Sequence, residues 1–160
     1  MLRDKPARPG ETAIVLPDRH DAGLHFIGHV SSPWAAPRDC PKSSRNRSDV
    51  EARLVLRRDF ALGLKDIALY SHLIVLYWLH LARRDLIAQV PSHLQEPRGV
   101  FALRSPVRPN PIGLAVVELV RIEKHDLVIK NIDCVDGTPL IDIKPYYPNL
   151  DSEPNARRPP

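Results

Sequence analysis

Glycine is scarce in this chain, at 7 of 160 residues. That excludes a glycine-driven low-complexity or collagen-like polymer. Cysteine is scarcer still, with Cys40 and Cys134 alone. Two isolated thiols build neither a disulfide scaffold nor a Cys-rich zinc site, so no metal is expected, and a reducing cytoplasmic setting suits them. Long apolar runs are lacking as well. The longest spans Leu73 to Leu79, far short of the roughly 20 residues a membrane helix needs. The opening MLRDKPARPG has no apolar core and does not read as a signal peptide. Several catalytic signatures are also missing: a GxGxxG before a helix, a P-loop, HExxH and G-x-S-x-G. Without a glycine-rich βα turn, the ordinary Rossmann route to a nucleotide cofactor is closed.

Proline is what the chain has in excess, with 17 residues against a usual share of roughly 5%. A proline inside a helix costs about 3 kcal/mol, which argues against a bundle of long helices. Hydrophobic residues make up 43%, enough for one core in one domain of this length. The expected fold class is therefore all-β: a single compact β-barrel with short helical turns and proline-rich loops. Residues 1–20 read as an arm or an extended first strand, 21–151 as the barrel and 152–160 as a mobile tail.

The formal charge of +4 has an address. Between Arg38 and Arg58 stand seven basic residues and three acids, so the remainder of the chain is balanced. Two readings stay open. One is a solvated loop; the other is a contact with a polyanion such as RNA.

Along the chain, His25–Val30 reads as a short strand in which Gly28 marks a bulge or a close backbone approach. Residues 31–50 read as a long loop. Arg53–Arg57 is strand-like, Gly63–Ser71 has room for one helical turn near Lys65-Asp66, and His72–Leu81 reads as a central strand. Val100–Leu103 reads as a further strand. Leu114–Glu123 and Leu127–Val135 form the clearest hairpin, turning at Lys124-His125-Asp126. Leu140–Ile143 is a last strand ended by Pro145.

Two stretches look over-determined for structure alone. In Arg104-Ser-Pro-Val-Arg-Pro-Asn-Pro-Ile-Gly-Leu114, prolines at 106, 109 and 111 fix three φ angles and restrict the residues before them. A loop stiffened in advance loses little entropy on binding. In Asp136-Gly-Thr-Pro-Leu-Ile-Asp-Ile-Lys-Pro-Tyr146, alternation puts Asp142 and Lys144 on one face. They are either a simple surface pair or polar groups lining a pocket. Trp34, in the long loop, reads equally as core or as a platform for a base. Tyr77 and Trp78 read as core.

These two blocks, GVFALRSPVRPNPIGLA (Gly99–Ala115) and DGTPLIDIKPYYPNLD (Asp136–Asp151), resemble the signature of the SAM-dependent tRNA threonylcarbamoyladenosine N6-methyltransferase family, the TrmO or YaeB type. IGHVSSP (Ile27–Pro33) and GLKDIALYSHLIVLYWLH (Gly63–His80) add weaker support, so the resemblance runs over about residues 24–151. It implies a β-barrel that binds S-adenosylmethionine (SAM), a homodimer, and methylation of a modified adenosine beside the tRNA anticodon. Carried over by position, the implied cofactor contacts are Arg38, Asp39, Cys40, His80, Leu81, Arg104, Leu114, Ile141, Asp142, Ile143 and Lys144. Asn110, through its carbonyl, and Asp142 are the expected catalytic acceptors, since a urea-type N–H must lose its proton to become nucleophilic. Arg104 is expected to hold a carboxylate. Arg38, Arg45 and Arg47 are candidates for phosphates or a carboxylate of the acceptor.

The chain departs from the family pattern at Asp39-Cys40, where members typically carry a glutamine, and it reads as a short form lacking an extra C-terminal domain. Two alternatives therefore remain beside tRNA methylation. One is a SAM-dependent methyltransferase with another substrate; the other is a non-catalytic RNA-binding barrel.

Overall fold

A computed structural model describes residues 6–18, 21–42, 49–92 and 94–157. Its core is a closed antiparallel barrel of six strands. In chain order they are β2 (Gly28–Ser31), β3 (Glu51–Leu56), β4 (His72–Trp78), β7 (Ile112–Glu123), β8 (Asp126–Lys130) and β9 (Thr138–Pro145). Around the barrel the order is β2-β3-β8-β7-β4-β9, with β9 returning to β2. The all-β barrel expected from the sequence is what the chain forms. Beside it, β1 (Thr12–Ala13), β5 (Leu86–Gln89) and β6 (Arg98–Gly99) make a small second sheet.

The period-2 pattern decides which side chains go inside. In β4, Leu73, Val75 and Tyr77 are buried, while His72, Ile74, Leu76 and Trp78 are more exposed. Leu54 of β3, Leu127 and Ile129 of β8, Val117 of β7 and Leu140 of β9 meet them in one core. Each buried aliphatic side chain contributes about 1.5–3 kcal/mol. Gly28 is needed for a close approach, because a Cβ there would run into the Val55 carbonyl.

β9 carries an irregularity that plain alternation misses. Tyr77 pairs with Leu140, but Leu76 pairs with Asp142, which leaves Ile141 as an extra residue. This bulge lets Leu140 and Ile143 both face the core while Asp142 and Lys144 both face out.

Several sequence expectations are corrected. Val100–Leu103 is not a strand: Val100–Ala102 forms a 3-10 turn, closed by Leu103 N donating to Val100 O at 3.2 Å. The Arg108 guanidinium donates to the carbonyls of both Val100 and Leu103, occupying acceptors a strand would need. The hairpin turn is Lys124-His125 alone, with Lys124 at φ 59°, because Asp126 pairs with Glu123. β8 ends at Lys130 rather than Val135, since Asn131 takes φ 70° and turns the chain away. β7 starts at Ile112, two residues before the expected Leu114. The helical turn expected within Gly63–Ser71 is present as the 3-10 segment Ile67–Leu69, entered through Asp66 at φ 68°; what the sequence did not show is a second 3-10 segment, Arg58–Leu64, before it. Trp34 is 8% exposed and belongs to the core, so it is no platform for a base. β5, β6 and the short helix α1 (Pro148–Asp151) had no sequence expectation.

Candidate functional site

At one end of the barrel, β4 leaves the sheet and the proline-rich loop arrives. Leu79 N donates to Pro111 O at 2.8 Å, and His80 N donates to Trp78 O at 2.7 Å in a tight turn. The Arg84 guanidinium lies 5.3 Å from the Trp78 ring and its Nε donates to Pro109 O at 2.6 Å. Two of these contacts use proline carbonyls, those of Pro109 and Pro111. They hold the loop against the end of β4.

The space they frame is a cleft of about 940 Å³, at the upper end of the roughly 300–1,000 Å³ usual for small-molecule sites. Five stretches of chain build it: residues 37–42, 77–82, 104–108, 112–114 and 133–138. Cys40, His80, Leu81, Arg104 and Leu114 of the expected contacts all line it. These residues are far apart in sequence and converge only through barrel closure.

The other expected residues stand elsewhere. The Arg38 side chain is 88% exposed and lies 3.7 Å from Asp39. Asp39 accepts Ala36 N at 3.1 Å, which shapes the turn leading to Cys40. Asn110 is exposed, and its carbonyl accepts Ile112 N at 2.8 Å. Ile141 is the bulge residue of β9, and Ile143 packs against the core. Asp142 pairs with Lys144 at 2.6 Å on the outer face and accepts Ile143 N at 2.9 Å. Leu114, Leu76 and Asp142 form one cross-strand row on that face, so Asp142 lies two strand spacings, roughly 10 Å, from a cleft residue. Arg45 and Arg47 lie outside the described residues. Of the other cations between Arg38 and Arg58, Arg53 pairs with Glu123 and Arg57 with Asp59, so the basic segment is partly neutralised.

Sequence reasoning missed Lys42, Tyr77, Arg108, Asp133 and Cys134 as members of the cleft. Tyr77 reads as core by alternation, and most of it is core. Its hydroxyl, however, donates to Asp133 Oδ1 at 2.7 Å inside the cleft. A carboxylate between Ile132 and Cys134, both buried, was the signal available for Asp133. Gly113 makes room for the Tyr77 ring: a Cβ there would overlap Cε2.

The electrostatics of the cleft are lopsided. Lys42, Arg104 and Arg108 line it, and Asp133 is its single carboxylate among the described residues. Arg104 donates to Leu114 O at 3.2 Å and Arg108 to the two carbonyls of the 3-10 turn. Arg108 Nε is buried without a hydrogen-bond partner among the described residues. The guanidiniums are thus oriented by dipoles and keep their net charge for a ligand. Burial, and then the charge of Asp133, pushes the Tyr77 phenol far up, so it stays protonated. Burial pushes the Cys134 thiol up to about 12 and raises Cys40 as well. Neither thiol is an activated nucleophile.

No helix among the described residues is long and apolar enough to cross a membrane, and no group of three or more His, Cys, Asp or Glu side chains there could hold a metal ion.

The chain is similar to several known proteins. A VirR protein of Rhizobium radiobacter, named a probable S-adenosyl-L-methionine-binding protein, is 41% identical over 145 residues, 91% of this chain and 82% of its own. An S-adenosyl-L-methionine-binding protein of Archaeoglobus fulgidus is 45% identical over 128 residues, 80% of this chain and 91% of its own. The tRNA (adenine(37)-N6)-methyltransferase of Escherichia coli is 33% identical, over 81% of this chain and 60% of that protein. The crystal structure of TrmO from P. aeruginosa superposes with a TM-score of 0.73 at 31% identity, covering 89% of this chain and 62% of that one. The tRNA-methyltransferase O N-terminal domain matches residues 29–152, from β2 through α1, and the chain belongs to that family.

Proposed function

We propose that the protein binds SAM in this cleft and transfers its methyl group to N6 of a threonylcarbamoylated adenosine beside the tRNA anticodon. The observation that carries the reading is the convergence of Cys40, His80, Leu81, Arg104 and Leu114 on one cleft. The donor set suits the cofactor. Arg104 would hold the methionine carboxylate, for which a planar guanidinium is the natural partner. Leu81 and Leu114 offer apolar surface to the adenosyl moiety, and Cys40 and His80 close the walls around it. When bound, SAM supplies a methyl group already activated by its sulfonium. What remains for the protein is to orient the acceptor nitrogen, keep water out and take up a proton.

A cleft that holds three cations and one carboxylate suits an anionic acceptor. SAM is itself a net cation, so the excess positive charge favours a partner rich in phosphate or carboxylate. This supports RNA as substrate. A homodimer fits the apolar lip of the cleft, where Ile112 is 42% and Leu114 47% exposed. A second copy covering that face would also bring the Ile141–Lys144 strand toward a cofactor, which one copy alone does not do. A monomeric mass in solution with SAM bound removes the dimer from the reading.

A second reading keeps SAM and changes the acceptor. It is favoured by relatives, matched over 82% and 91% of their own lengths, that are named only for binding SAM. One experiment separates the two: incubation with methyl-labelled SAM and tRNA with or without the threonylcarbamoyl group. Label on modified tRNA alone, weakening steeply with salt, is the expected result. Bound SAM with no label on either tRNA would sink the tRNA reading.

A further inference from the structure

We infer that Asp133, held by the Tyr77 hydroxyl, is the catalytic proton acceptor of the cleft. This inference rests on the methyl-transfer reading above. Within one copy, neither Asn110 nor Asp142 lines the cleft. The Asn110 carbonyl already accepts Ile112 N, and the Asp142 side chain already has Lys144 and Ile143 N. Asp133 does line it, as the single carboxylate there among the described residues.

The geometry leaves Asp133 half committed. Oδ1 accepts the Tyr77 hydroxyl at 2.7 Å. Oδ2 has no donor among the described residues. Tyr77 is 3% exposed and anchored in the core. It therefore fixes one oxygen and leaves the other able to accept a proton. The competing groups are poorly suited. The Tyr77 phenol and the thiols of Cys40 and Cys134 all have raised pKa values, so at neutral pH they are donors. His80 is the remaining titratable group that could accept, while Arg104, Arg108 and Lys42 are the cations that share the cleft with Asp133.

The step balances in atoms and charge. The nitrogen–hydrogen pair of the acceptor becomes the new nitrogen–methyl bond, and the proton passes to Asp133 Oδ2. The methyl–sulfur pair stays on sulfur, so the sulfonium charge disappears as the carboxylate is neutralised. The carboxylate later returns its proton to water.

The positioning half of the device is Gly113 with Tyr77. A Cβ at 113 would overlap the Tyr77 ring, so the carboxylate can be held only because residue 113 has no side chain.

Asp133→Asn tests the assignment, since it keeps shape and removes basicity. Three quantities are measured on the intact protein: the SAM dissociation constant by calorimetry, the melting temperature, and the single-turnover rate of methyl transfer to modified tRNA. The expected result is a rate lower by about 100-fold or more, with SAM affinity within about threefold of the wild type. The acid limb of the pH–rate profile, where a base becomes protonated, should flatten in the variant. Tyr77→Phe, which keeps the carboxylate and loses its holder, should lose roughly tenfold. A rate within threefold of wild type for Asp133→Asn overturns the assignment and leaves the methyl-transfer reading standing. SAM affinity that falls by the same factor as the rate also overturns it, by making Asp133 a binding residue. A flattened acid limb in His80→Asn instead gives the role to His80. A wild-type protein that binds SAM but methylates no tRNA sinks both proposals together.

Discussion

Two regions of the barrel hold their arginines in opposite ways. On the wall formed by β3, β8 and β7, cations meet carboxylates. Arg121 lies 2.9 Å from Glu51 and 2.7 Å from Glu123, and Glu123 also takes Arg53. At the cleft, Arg84, Arg104 and Arg108 donate to backbone carbonyls: Pro109, Leu114, Val100 and Leu103. A carboxylate neutralises a guanidinium; a carbonyl only aims it. The wall is electrostatically finished, whereas the cleft keeps a net positive charge. The formal +4 of the chain is therefore a poor guide until each cation's partner is known.

The largest expected effect tests what the cleft side is built on. Gly113→Ala pushes a methyl group into the Tyr77 ring, which the core cannot yield without strain. It should destabilise the fold by about 1–3 kcal/mol and weaken SAM binding as the cleft wall shifts. A thermal melt and a SAM titration check both. An unchanged melting temperature would mean that Tyr77 moves freely, and the cleft would lose its rigid wall.

Next in size is Arg104→Ala. The fold should keep its melting temperature, because only a carbonyl loses its donor at the surface. SAM affinity should fall roughly tenfold to a hundredfold, as expected for a hydrogen bond to a charged group. Calorimetry reads this directly. An unchanged affinity removes Arg104 from the site and breaks the contrast between aimed and neutralised cations.

The smallest effect is expected from Arg121→Ala on the wall. SAM affinity should not change, and a slight fall in melting temperature should vanish at high salt, because the pairs are solvent-exposed. The pH dependence gives the sharper readout. Arg121 lowers the pKa of Glu51, and Arg53 with Arg121 lowers that of Glu123. A carboxyl with a depressed folded pKa stabilises fully above its unfolded pKa, and the stabilisation is lost as pH falls through the folded one. Melting temperature should therefore decline on acidification through the carboxylate range, and Arg121→Ala should make that decline shallower. The carbonyl-held cations of the cleft add nothing to this slope, since carbonyls do not titrate there. An identical slope in the variant would contradict the pairing on the wall.

Legibility in the sequence followed the same division. The β7–β8 hairpin was readable because two apolar, β-branched runs flank a short turn, even though a register shift between Leu119 and Arg121 and the consecutive burial of Leu127, Val128 and Ile129 break its alternation. Val100–Leu103 was not, because β-branched and aromatic residues favour a strand locally while Arg108, a few residues on, captures the carbonyls. The pair Asp142–Lys144 was rightly placed on one face, yet Leu140 two residues earlier faces the core. Only the bulge at Ile141 reconciles these, and a bulge has no single-residue signature. Five of the expected cofactor contacts meet in the cleft, which the family motifs made visible. Asp133 and Tyr77 escaped notice because their meeting spans 56 residues and depends on barrel closure.

Barrel closure also governs how copies of this protein can meet. With β9 paired to β2, the barrel has no open edge strand whose backbone groups a neighbour could extend. In the small sheet the outer strands are β1 and β6, each two residues long, too short to template a growing sheet. Association through the barrel must therefore go face to face, by side-chain complementarity. It can be tuned by surface substitution without touching the hydrogen-bonded frame, and runaway strand-by-strand polymerisation has no place on the barrel to begin.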